Sequence, residues 1–218
     1  MAIDRLALWF STSRNIDGLW AGTMESKPHP GLRRIEDALQ LIKRHDSLHY
    51  SRVIHNLERV WVRLRPNNGR ACYDPSLKAC ELDERYVLLE TTTLEEIAST
   101  IVHEATHAKL ERWGIRYDEK ERSRIEAVCL RRELHFIAKL PHSEPLREKR
   151  ARILEWCGSD ADYFSNLSFH QRNQQGAVET LRYLVASDWL FRSILRVLGV
   201  ISVVRGWARR FGGPPRQA

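Results

Sequence analysis

No run of apolar residues in this 218-residue chain approaches the ~20 needed to cross a bilayer; the longest apolar-rich stretch is residues 197–204. Residues 1–10 lack a basic stretch leading into an apolar core, so the expected location is cytoplasmic. No internal repeat and no low-complexity tract is present. Cysteine is sparse: Cys72, Cys80, Cys129 and Cys157, expected as free thiols in a reducing compartment. Cys72 and Cys80 flank a turn-like Tyr73-Asp74-Pro75-Ser76, but the absence of a CxxC pair or a nearby His pair argues against a structural zinc between them. Hydrophobic content of 43% and charged content of 29% fit a soluble globular chain, long enough to bury about 70% of its unfolded surface in one domain. The net charge of +7 favours anionic surfaces, although solvated basic faces are its commoner meaning.

Periodicity organises the chain. Two Trp and several Ser and Gly mark the first thirty residues as a short helix or arm followed by a loop, broken at Pro28-His29-Pro30-Gly31. Leu32, Ile35, Leu39 and Ile42 predict a helix to residue 45, and a second helix is expected over 47–57. Val60-Trp61-Val62-Arg63-Leu64 reads as a strand, Pro66-Asn67-Asn68-Gly69 as a turn and Ala71-Cys72-Tyr73 as a returning strand. Arg85-Tyr86-Val87-Leu88-Leu89-Glu90 is the best strand candidate. Helices are then expected over 93–113, stopped by Gly114, and over 118–140, 144–156 and 174–185.

The helix over 93–113 carries the most informative residues, His103-Glu104-Ala105-Thr106-His107. Chance alone produces an HExxH pentad in on the order of one such chain in a hundred, so its setting matters more than its letters. Thr92 or Thr93, with Glu95 or Glu96 three residues on, forms a capping box. Leu94, Ile97, Ile101, Ala105 and Ala108 form an apolar stripe, with both His on another face. Residues four apart lie together on a helix, so two imidazoles can reach one ion, and the intervening Glu is placed to take a proton from water.

A catalytic zinc site needs a third protein ligand. A His six residues past His107 is excluded, because position 113 is Trp and position 110 is Leu. Glu126, with eighteen residues between it and His107, can return beside the imidazoles on a second helix after the turn at Gly114. Asp118, Glu121, Glu133 and His135 are alternatives. Tyr163, His170 and Tyr183 are candidates to stabilise an oxyanion, each with a plainer structural role available.

The pattern His103-Glu104-x-x-His107, eighteen residues, Glu126 resembles the gluzincin metallopeptidases over roughly residues 58–140. The resemblance implies an α+β, zincin-like fold: a small mixed sheet on an active-site helix, then a mainly helical C-terminal half. It further implies one zinc per chain held by His103, His107 and Glu126, Glu104 as general base, and a peptide or protein substrate. The sequence departs from the family pattern at Leu130, where an Asp often orients a zinc-bound His, and at Ile125, where an Asn is common. Under this reading residues 1–57 form a helical N-terminal part, 58–140 the catalytic core, 141–188 a helical C-terminal part and 189–218 a basic amphipathic tail. The tail is a candidate for peripheral membrane contact, with a packed C-terminal helix as the plainer reading. No nucleic-acid motif is present. The competing functions are a non-enzymatic module with a degenerate zincin core, binding membrane or nucleic acid through its basic surface, and a zincin that processes a single protein.

Overall fold

The computed structural model describes residues 11–23, 29–66, 69–157, 159 and 162–184. The proposed amphipathic tail, 189–218, lies outside them. The described chain is α+β: a five-stranded mixed sheet and seven α-helices.

Strands β1 (Thr12–Ile16) and β2 (Leu19–Thr23) open the fold as an antiparallel hairpin. Where an arm and loop were expected, residues 12–16 and 19–23 are therefore sheet. Asp17 and Gly18 both adopt positive φ, 51° and 91°, at the two-residue turn, a conformation that Asp tolerates and Gly favours. Asn15 Oδ1 accepts from Gly18 N at 2.9 Å and fixes that turn.

Helix α1 (Pro30–His45) starts at a proline preset for the helical φ and buries Leu32, Ile35, Ala38, Leu39 and Ile42 on one side. Asp46 ends it and caps α2 (Ser47–Asn56), accepting from His49 N at 3.1 Å. Strands β3 (Arg59–Arg63), β4 (Ala71–Asp74) and β5 (Ala79–Asp83) complete the sheet in the order β1-β2-β3-β5-β4. The β2–β3 and β3–β5 pairs are parallel and the β4–β5 pair antiparallel, so β4 lies on an edge.

The segment read as the best strand is helix α3 (Glu84–Leu88). Asp83 caps it by accepting from Arg85 N at 2.9 Å, and this local hydrogen bond outweighs the strand preference of Tyr86, Val87 and Leu88. The interior strand β5 lies just before it. All five residues of β5 are buried, including Glu81 and Asp83, whose charges are met by Arg63, Arg65 and Arg85.

Helix α4 (Leu94–Arg112) begins at a complete Thr93/Glu96 capping box and stops at Gly114, whose φ is +80°. It packs against α1, α2, β4 and β5 and meets α5 (Arg122–Ile137) along its length. Helices α6 (Glu144–Cys157) and α7 (Asn166–Leu184), joined by a short 3-10 turn (Asp162–Phe164), follow. The main core sits between one face of the sheet and α1, α4 and α5, filled by Ile35, Leu39, Val60, Leu82, Ile101 and Phe136. Trp61, Leu77 and Ala79 pack on the sheet's other face. No described helix is long and apolar enough to cross a membrane.

A candidate metal centre between two helices

Helix α4 presents His103 and His107 one turn apart, and α5 runs past them carrying Glu126. The turn at Gly114 brings the second helix back, as the eighteen-residue spacing requires. His103 Nε2 lies 3.2 Å from Glu126 Oε2, His107 Nε2 lies 3.4 Å from Glu126 Oε1, and the two Nε2 atoms are 3.2 Å apart. A tetrahedron with metal–ligand bonds of ~2.0–2.1 Å has edges of roughly 3.3 Å, so the three donors already stand at the corners of a zinc-sized site.

His103 Nδ1 is 3.2 Å from Glu133 Oε2, a carboxylate that can only accept, so that nitrogen carries a proton while Nε2 faces Glu126 and His107. Three lone-pair donors cannot converge without a positive charge among them, either a proton or a metal ion. Burial alone would pull the His103 pKa down, but Glu126 and Glu133 outweigh it and hold the imidazole well above its ordinary value. Burial would raise Glu126; the two imidazoles instead hold it well below the usual carboxylate range.

Glu133 is itself anchored. Arg150 of α6 donates from Nε to Glu133 Oε1 at 2.6 Å, and both side chains are buried. Glu133 meets His103 from one turn beyond position 130 on α5. Leu130 packs instead on Cys157 and Phe164, and Ile125 on Leu110 and Cys129.

Glu104 is buried beside the imidazoles, on the side of α4 that faces β4 and β5. Burial raises its pKa; the two imidazoles and Arg65 oppose the rise. Tyr117, in the loop between α4 and α5, donates to Glu126 Oε1 at 2.6 Å and sets its ring edge-on to His107, centroids 5.4 Å apart. Sequence reading passed over Tyr117, Glu133 as a positioning group, and Arg150. For Tyr117 the available signal was an aromatic in the short loop between two ligand-bearing helices.

Cys129 is a further donor on the same face of α5, one turn after Glu126. Its Sγ lies within 4.8 Å of the ligand nitrogens of His103 and His107. Burial, then the neighbouring carboxylates, raise its pKa, so without a metal it stays a neutral thiol. All four cysteines are free.

The remaining candidates lie elsewhere. Asp118 accepts from Glu121 N at 3.3 Å at the entrance to α5, and Glu121 pairs with Arg124 at 3.8 Å. His135 faces His49, on another side of α5. Tyr163 packs on Trp156 and under Arg172, His170 pairs with Gln174, and Tyr183 is exposed beside Arg85. No family model, no curated protein and no solved structure matches this chain.

Proposed function

We propose that this chain is a zinc-dependent hydrolase of the peptidase type, with a zincin-like core. The observation that carries the reading is the convergence of His103 Nε2, His107 Nε2 and the Glu126 carboxylate at 3.2–3.4 Å from one another. A zinc ion bound there would act as a Lewis acid and supply activated water. His103, held by Glu133 and Arg150, and His107 would be the imidazole ligands. Glu126, steadied by Tyr117, would supply the carboxylate. Glu104 holds the proton taken from water and returns it to the leaving amine, a task matched to its raised pKa. The edge strand β4 beside α4 offers unpaired backbone groups to an extended chain, which favours a peptide over a compact small molecule.

A second reading follows from Cys129. If its sulfur joined the two His and Glu126, the site would be closed and structural rather than catalytic.

The test uses the full chain loaded with zinc and a library of proteome-derived peptides read by mass spectrometry. The wild type cleaves and Glu104→Gln retains zinc without cleaving. Cleavage by Glu104→Gln at the wild-type rate contradicts the assignment of the base. Zinc retained by the wild type with no cleavage of any peptide, and affinity lost in Cys129→Ala, would establish the closed site instead.

A further inference from the structure

A pocket of opposite electrostatic character lies around α4 from the imidazole pair, walled by α2, α4 and α5. Its lining includes Arg52, Lys109 and Arg132, and not one carboxylate. Among the described residues these three cations form no ion pair with an acid. The Lys109 ammonium lies 4.5 Å from the centroid of the Trp113 ring, a contact that leaves its charge without a counterion. His49 also lines the pocket; it is 2% exposed, and its Nε2 has no hydrogen-bond partner. Its Nδ1 is taken by Asp46 Oδ2 at 2.5 Å.

The nearest acid does not neutralise this wall. Asp46 already meets Lys139 at 2.8 Å in addition to His49. Asp46, His49 and His135 stand close enough to hold a metal. A dication there would have to displace Lys139 and face three further positive charges, so the electrostatics favour an anion.

We infer that this pocket binds a phosphate-type oxyanion, held by the Arg52 and Arg132 guanidinium groups and the Lys109 ammonium over the His49 ring. Guanidinium forks match the tetrahedral oxygens of phosphate, and an ammonium supplies a point charge. The inference goes beyond the hydrolase reading and does not depend on it.

The experiment is calorimetric titration of the full-length protein at fixed ionic strength. Its arms are inorganic phosphate, phosphoserine, and vesicles of phosphatidic acid in phosphatidylcholine. Inorganic phosphate and phosphoserine bind the wild type if the site takes a free phosphate group; binding by the vesicles alone assigns the group to a lipid surface. In either case R52A/R132A weakens binding roughly ten- to hundredfold per lost contact, the equilibrium equivalent of a hydrogen bond to a charged group. Arg33→Ala, at an exposed arginine on α1, leaves binding unchanged. No binding in any arm overturns the inference. So does binding that survives R52A/R132A but disappears in His103→Ala, which would put the anion at the metal centre. Equal loss in Arg33→Ala and R52A/R132A would show non-specific charge attraction and overturn it as well.

Discussion

Replacing Glu133 with Ala separates two roles that one buried carboxylate performs. Glu133 is 2% exposed and accepts from Arg150 at 2.6 Å on one oxygen while holding His103 Nδ1 at 3.2 Å on the other. Removing it strands the Arg150 guanidinium, itself buried, without its anion. Breaking a buried pair from one side costs about 3–5 kcal/mol. For a domain of this size each kcal/mol moves Tm by roughly 2–4 °C, so Glu133→Ala should lower Tm by about 6–20 °C. Loss of the carboxylate behind a metal-ligating imidazole should also weaken zinc affinity about 10- to 100-fold. Scanning calorimetry in chelator reads the first effect, and competition with a chromophoric chelator reads the second. The double variant Glu133→Ala/Arg150→Met divides them: with both charges gone, stability returns substantially, since apolar replacement of a buried pair is often neutral, but zinc affinity does not. If Glu133→Ala held Tm within about 2 °C and bound zinc as tightly as wild type, neither role would stand.

Two further predictions concern stability alone. Burial would raise the Asp46 pKa, but Lys139 and the hydrogen bonds from His49 lower it from 3.8 to about 2. A depressed carboxylate contributes stability above its unfolded value that is lost as pH falls, here ~2 kcal/mol between roughly pH 4 and 2; Asp46→Asn should flatten that limb of an acid-unfolding curve, and an unchanged limb would refute the assignment. Thr93→Ala removes one half of the capping box of α4, whose side chain accepts from Glu96 N at 3.1 Å; a loss of about 1 kcal/mol in urea unfolding is expected, and none if the box contributes nothing.

The pairing of His103 with His107 was legible in the sequence because helical periodicity alone places them together, and a capping box and a Gly stop bound the helix that carries them. Glu126 was reachable because one turn and one returning helix account for its spacing. Its supporting residues were not. Arg150 meets Glu133 only because α6 folds across α5, and no local pattern announces a partner seventeen residues away. The interior strand β5 was hidden for a related reason. Glu81 and Asp83 look like surface residues, yet arginines from neighbouring segments neutralise them inside the sheet. The reverse error placed a strand at 85–90, where three strand-forming side chains follow a carboxylate that caps a helix. In each case the decisive interaction was either a long-range ion pair or a single capping hydrogen bond, neither of which shows in the apolar pattern.

The most direct test of the proposed metal centre is the metal content of freshly purified full-length protein, measured by inductively coupled plasma mass spectrometry beside His103→Ala and Glu126→Ala. One zinc per wild-type chain, lost in both variants while their fold is retained by circular dichroism, is the predicted result. Wild-type protein that carries no metal and takes up none when zinc is added would contradict it.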